Sequence, residues 1–257
     1  GESVEQLVTR PDGVEVRLSD DSCLRADTCV LAGDPATTRH LGSTCEFVAD
    51  DDPSVHTLWR ERLAANRTAP PFAVWRLWLD RPVRTDRPPF LGTSGFGPLD
   101  NVSVLELFED GAADWRRRTG GSVVELHAYA LPHGREDEAA QARTREQLRA
   151  ELTRVYPETA AALVVHEEWL VRDDCPLVGT GPWHLRPGVV TPDPRLVLAG
   201  DGVRCDFPVA LMERAATTGF QAANALLTRT GTAGHDLWTV PMAGRRPVGR
   251  AAAALAR

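Results

Sequence analysis

The stretch LVLAGDGVRCDFPVALMERAATTGFQAANALL, from Leu196 to Leu227, constrains the fold more than any other part of the chain. It opens with an apolar run that reads as a short buried strand. Gly200 and Asp201 end that strand, and Pro208 leads into a long helix. Ala215, Ala216, Gly219, Ala222 and Ala223 are expected to keep one side of this helix thin enough to pack closely on a sheet. Strand, turn and helix in this order make a βα unit, and α/β folds bind ligands beyond the carboxyl ends of their strands. Gly200 permits close backbone approach, and the Asp201 carboxylate is suited to accept hydrogen bonds from sugar-like hydroxyls. The first helical N–H groups, near Ala210, Leu211 and Met212, favour negative charge. A plain βα unit with an acidic turn satisfies the same pattern.

A length of 257 residues allows one large domain or two small ones. The net charge of −7 argues against nucleic acid as a main partner. No apolar run approaches the roughly 20 residues of a membrane-spanning helix. The five cysteines, at positions 23, 29, 45, 175 and 205, include no CxxC pair. Free thiols in a reducing cytoplasm are the expectation, with no metal site. The chain begins at Gly1, without an initiating Met, and a strand-like pattern follows at once. The expectation is a piece of a longer protein.

Val14, Val16 and Leu18 alternate with charged residues after a PDG turn, and an apolar strand from Cys29 to Ala32 ends in Gly33 and Asp34. Strand–Gly–Asp therefore occurs twice. Pro35 opens a short helix, and Asp52 with Pro53 starts another as N-cap and first helical residue. FAVWRLWLD reads as a strand with Ala73, Trp75, Leu77 and Leu79 on one face. NVSVLELFE, SVVELHAYAL and ALVVHEEWLV are further strands. Leu148, Leu152 and Val155 mark a helix by their spacing. A Pro- and Gly-rich loop precedes the final βα unit, and the residues after Leu227 read as a loosely ordered tail ending in an Ala-rich helix.

The 196–227 string resembles the C-terminal flavin-binding signature of the FAD-dependent amine oxidase and carotenoid desaturase superfamily. GESVEQLV with LRADTCVLAGDP is similar to the strands that finish its FAD domain. GTGPWHLRPGVVTPD and CDFPVALMERAATTG resemble most its isorenieratene synthase branch, of carotenoid ring desaturases that shift a methyl group. The resemblance implies an α/β fold: the C-terminal part of a Rossmann-like FAD domain, split in sequence, with an inserted mixed-sheet α+β substrate domain. The expected divisions are 1–46 and 190–228 for the FAD domain, 47–189 for the substrate domain and 229–257 for the tail.

The resemblance also implies FAD as cofactor. The cofactor-binding residues would be Val4 (through its backbone, to adenine), Gly200, Asp201, Pro208, Ala210, Leu211 and Met212. The helix start would face the flavin ring, where negative charge develops on reduction. It implies a lipophilic carotenoid substrate, a β-ionone ring desaturated and aromatised, and peripheral contact with a membrane. Phytoene- or squalene-type desaturation, and a non-catalytic fragment, stay open as alternatives. Amine oxidation fits less well, because two tyrosines make a poor aromatic cage. The superfamily begins with a GxGxxG unit that holds the FAD pyrophosphate, and this chain contains none. A partner segment carrying that unit is therefore expected. GTSGFG (Gly92, Gly95, Gly97) precedes a strand and reads as a loop.

No catalytic acid or base is evident. His166 with Glu168, and His127 with Glu125, share strand faces and are expected to be structural or surface groups. Asp50, Asp51 and Asp52 read as a solvated loop with a helix cap, and Glu213 as a group paired with a neighbouring Arg. Trp75 and Trp78 point to opposite faces; plain core packing is the expected role, with one of the two lining a tunnel as the alternative.

Overall fold

The computed structural model describes residues 1–47, 52–132, 134 and 136–240. The expected Ala-rich helix at the end of the tail, with Asp50 and Asp51, lies outside them. Along the chain run β1 (Val4–Arg10), β2 (Gly13–Leu18), β3 (Cys23–Ala26), β4 (Cys29–Leu31), α1 (Pro35–Thr44), β5 (Glu46–Phe47) and α2 (Pro53–Ala65). Then come β6 (Phe72–Leu79), β7 (Phe90–Gly92), β8 (Asn101–Val104), α3 (Asp110–Thr119), β9 (Ser122–Ala128), α4 (Glu138–Val155) and β10 (Val164–Arg172). β11 (Leu196–Leu198) and α5 (Leu211–Arg229) complete the chain. None of the described helices is long and apolar enough to cross a membrane.

The chain divides into two compact units, one of residues 1–68 with 175–257 and one of residues 69–174. The expected divisions at 46/47 and 189/190 therefore shift. α2 packs Trp59 and Leu63 into the core of the first unit, beside Leu7, Leu41, Leu196 and Leu198. Trp59 also donates its indole N–H to the Gly42 carbonyl at 3.0 Å. Residues 175–189 follow the first unit as well, where Leu177 donates its N–H to the Arg67 carbonyl.

In the first unit, β3-β2-β1-β5 form one sheet and β11-β4 a parallel pair. β11 is buried throughout, with Val197 and Ala199 against Ala222 of α5 and Leu196 and Leu198 against the opposite core. The thin side expected of α5 is only partly used: Thr218 and Ala222 are its buried residues, Ala216 is exposed, and a side chain at Gly219 would meet open space.

The second unit is one sheet, β10-β6-β9-β8-β7. It was expected to be mixed, but every ladder among its described residues is antiparallel. The parallel pairings lie in the first unit. β6 shows the expected alternation: Ala73, Trp75, Leu77 and Leu79 are buried in a core with Leu148 and Leu152 of α4. Trp78 takes the opposite face.

One ion pair of this unit predicts its acid sensitivity. Arg87 grips Glu158 with two hydrogen bonds, of 2.8 and 2.7 Å, and lies over the Tyr156 ring at 4.2 Å. The bonding from Arg87 lowers the Glu158 carboxyl from its ordinary 4.5 to about 2. A lowered folded-state pKa contributes stability above the unfolded value that is lost as pH falls through the folded one. With both side chains about one-fifth exposed, the contribution at neutral pH should be about 1–2 kcal/mol after solvent screening. Glu158→Gln should therefore lower the melting temperature at pH 7, and the gap to wild type should close between pH 4.5 and about pH 2. A gap independent of pH, followed by circular dichroism, would refute this.

Candidate functional site

The two strand–Gly–Asp segments meet. Leu31 of β4 is in register with Leu198 of β11, and Ala199 donates its N–H to the Leu31 carbonyl at 3.0 Å. Gly33 and Gly200 thus end neighbouring parallel strands, and a Cβ on Gly200 would lie 3.5 Å from the Gly33 carbonyl oxygen. Gly200 has φ +138°, a conformation that other residues adopt only under strain.

The two aspartates differ. Asp34 is the N-cap of α1 and accepts the Thr37 N–H at 2.7 Å. Asp201 leads into the loop before α5. The N-cap of α5 is Ala210, which offers no side-chain bond, so the first N–H groups of a 19-residue helix are left uncapped. Leu211 begins the helix at φ +51°, an uncommon conformation for a Leu, and Leu211 and Met212 are both exposed. Glu213, in the same first turn, is exposed, and no ion pair with an Arg involves it among the described residues.

Two residues not anticipated from the sequence hold this arrangement. Thr218, fully buried on α5, accepts the Gly200 N–H at 2.9 Å, and its hydroxyl lies 3.0 Å from the Gly200 carbonyl oxygen. Arg214 donates to the Val209 carbonyl at 3.0 and 2.8 Å and to the Asp201 carbonyl at 3.2 Å. It ties the Asp201 turn to the segment carrying Pro208, Ala210, Leu211 and Met212. An Arg in the first turn of a helix opposes the dipole, and this mismatch was a readable signal. Arg214 also stacks on Trp183 at 4.9 Å, and Arg186 on the same ring at 5.1 Å. Burial, then the charge of Arg214, push the Arg186 guanidinium below its ordinary pKa. Trp183, residues 205–209 and Arg214 line a cleft of about 670 Å³ beside the helix start. Val4 begins β1, on the other sheet of this unit, and shares no hydrogen bond with these residues.

The second unit has its own cleft, of about 940 Å³, on the Trp78 face of its sheet. Trp78, Phe90, Leu105, Phe108 and Trp115 give it an apolar lining, and Arg76, Glu125 and His127 a charged end. Glu125 accepts from Arg76 at 2.9 and 2.7 Å and lies 2.9 Å from His127 Nε2. Bonding from His127, then from Arg76, holds the Glu125 carboxyl below the usual range. His127 Nδ1 lies 2.9 Å from the Tyr129 hydroxyl, which accepts from Asn101 Nδ2 at 3.1 Å. In the neutral ring, then, Nδ1 accepts from Tyr129 and Nε2–H donates to Glu125. Both ring nitrogens are bonded, as a structural histidine requires. His166 and Glu168 are exposed on β10, as expected of surface groups.

A sheet end of this kind, with two strand–Gly–Asp segments side by side, belongs to the α/β folds that bind ligands beyond the carboxyl ends of their strands. The profile of the family described as "Flavin containing amine oxidoreductase" matches residues 1–227, and the chain belongs to that family. It is 53% identical over 255 residues to the carotenoid phi-ring synthase of Streptomyces griseus, covering 98% of this chain and 47% of that protein. It is 37% identical over 221 residues to the carotenoid phi-ring synthase of Chlorobaculum tepidum, covering 86% of this chain and 33% of that one. The chain thus spans about half, or less, of the length of these relatives. Among solved structures, an oxidoreductase from Methanosarcina mazei superposes with a TM-score of 0.59 at 17% identity, over 87% of this chain and 49% of that one. A putrescine oxidase triple mutant does so with 0.60 at 14% identity, over 89% of this chain and 48% of that one. These likenesses concern the fold.

Proposed function

We propose that the chain supplies part of the FAD site and the substrate sheet of an oxidoreductase acting on a carotenoid. The reaction would desaturate and aromatise a β-ionone ring with migration of a methyl group. The observation that carries this reading is the meeting of Gly33 and Gly200 at adjacent strand ends, with the uncapped start of α5 on the same loop. The cradle suits a flavin nucleotide. Gly200 leaves open the space that a side chain would fill. Asn66, 2% exposed and beside Gly202, presents a carbonyl oxygen with no hydrogen-bond partner. Gly200, Asp201, Pro208, Ala210, Leu211 and Met212 would hold the cofactor, with Val4 contributing backbone.

FAD bound there would accept the hydride equivalents of a desaturation. The chain's own part is to bind, orient and exclude water. The free N–H groups of the first turn of α5 would favour an electron-rich ring. The aromatic cleft beside Trp78 would take the hydrocarbon ring, and its Glu125–His127–Tyr129 chain gives it one polar end. The likeness to two carotenoid phi-ring synthases supports the substrate class. A cytoplasmic protein drawing such a substrate from a membrane surface completes the reading.

The β4–β11 pair favours a complementing segment. β11 is flanked on its other side by Val189 and Val190, whereas β4 has no second neighbour in its sheet among the described residues, and Val30 is 45% exposed in mid-strand. Parallel strands are ordinarily covered and paired. A further strand, leading into a GxGxxG turn, would pair with β4 and complete the cofactor site.

The test is a visible absorption spectrum after incubation with FAD. It compares the chain alone with the chain co-expressed with the part of the Streptomyces griseus relative that it does not match. A flavin band that needs both parts is the expected result, and conversion of β-carotene by the pair would follow. No band in either preparation would sink the proposal.

A further inference from the structure

A third cleft, of about 560 Å³, lies in the first unit and shares Cys205 and Asp206 with the cleft beside the start of α5. One face of α2 lines it with Val55, Leu58, Trp59 and Arg62, facing residues 188–192, Arg204 and part of α5. Its two arginines are unusual. The Nε atoms of Arg62 and Arg204 are both buried without a hydrogen-bond partner, and neither side chain forms an ion pair among the described residues. Arg149 also has a buried nitrogen without a partner, but its other terminal nitrogen donates to the Thr159 and Ala162 carbonyls, and Arg195 is paired with Asp193. The one carboxylate in the lining, Asp206, is exposed and forms no ion pair with either arginine among the described residues. A buried N–H without an acceptor is costly, and both arginines are only half-buried, so an anion entering the cleft can reach their guanidinium groups and offer those N–H groups an oxygen. Guanidinium forks match phosphate oxygens in shape and charge.

The rim of the cleft is apolar and open. Val55, Leu58 and Val190 are 37, 42 and 64% exposed. A cationic socket set behind exposed aliphatic side chains matches an amphiphile with a phosphate head and a hydrocarbon body. We propose that Arg62 and Arg204 bind the phosphate of an anionic phospholipid, with Val55, Leu58 and Val190 entering the acyl boundary, so that this face is the membrane-docking surface. The net charge of −7 makes indiscriminate adsorption to an anionic bilayer unfavourable. Attraction must therefore be local to the socket. The proposal rests on the membrane contact of the proposed function and not on flavin binding, which vesicle flotation does not read.

The test is vesicle flotation of the full chain, with phosphatidylcholine vesicles and with vesicles of equal parts phosphatidylcholine and phosphatidylglycerol. Wild type should float with the anionic vesicles and not with the neutral ones. Arg62→Gln/Arg204→Gln should weaken that binding by about tenfold or more. The control Arg25→Gln/Arg81→Gln, which makes the same charge change at side chains 77 and 62% exposed, should leave it nearly intact. Should the first double variant fail to fold, Val190→Glu on the exposed rim should abolish flotation with the core undisturbed. Equal losses in both double variants, or no flotation of wild type, would overturn the proposal. So would stabilisation of wild type by inorganic phosphate without vesicle binding, which would assign the socket to a free anion.

Discussion

Gly200→Val should cut flavin retention in the complemented protein by about tenfold or more. The backbone at Gly200 stands at φ +138°, where a β-branched residue costs about 1–3 kcal/mol, and about 1.4 kcal/mol is a factor of ten in affinity. The turn cannot relax freely, because Thr218 accepts the Gly200 N–H and Ala199 is bonded to Leu31. A valine must therefore either bear the strain or pull the turn away from the start of α5. The matched control is Gly219→Ala, on the same helix, where a methyl group meets open space. That variant should keep its flavin and gain up to about 1 kcal/mol from helix propensity. Thr218→Val, which removes the buried hydroxyl, should resemble Gly200→Val, and Thr218→Ser should restore binding. The readout is flavin absorbance per protein after gel filtration. Full retention by Gly200→Val would mean that the Gly200 turn does not carry the cofactor.

Both strand–Gly–Asp segments were legible in the sequence, as were the Asp52 cap and the alternation of β6. Each rests on a local rule that tertiary context did not override. That Gly33 and Gly200 lie side by side was not legible, because parallel pairing joins residues far apart in the chain. The assignment of α2 to a unit failed for a related reason. Its Trp59 and Leu63 show that the helix has an apolar face, but not which core receives it. α3 gave little signal: none of its residues is fully buried, its half-buried Ala112, Ala113 and Trp115 make only a short apolar stripe, and Gly120 in the left-handed conformation marks its end. Arg62 and Arg204 look like any surface arginines in sequence. Their interest arises only when α2 and the loop after β11 are folded against one cleft.

Arg116→Met should destabilise the second unit by about 3 kcal/mol, the scale expected when a buried carboxylate loses its counter-ion. The Glu106 side chain is fully buried. It lies 2.7 Å from Arg116, accepts the Ser122 hydroxyl at 2.5 Å and accepts the Val123 N–H at 3.0 Å. Methionine removes the charge and keeps much of the apolar stem. Glu106 would then hold a desolvated charge with only two neutral donors. The Arg116 side chain is 28% exposed, so water can reach the vacancy, and this places the expected loss at the low end for such pairs. Glu106→Gln/Arg116→Met should recover part of the stability, since no unpaired charge remains, and a double-mutant cycle by urea unfolding measures the coupling. The consequence reaches the cleft beside Trp78. Glu106 and Arg116 tie α3 to the start of β9, and Gly111, Ala112 and Trp115 of α3 form part of the cleft lining. A loss below about 0.5 kcal/mol in Arg116→Met would show that this wall is held by packing rather than by the ion pair.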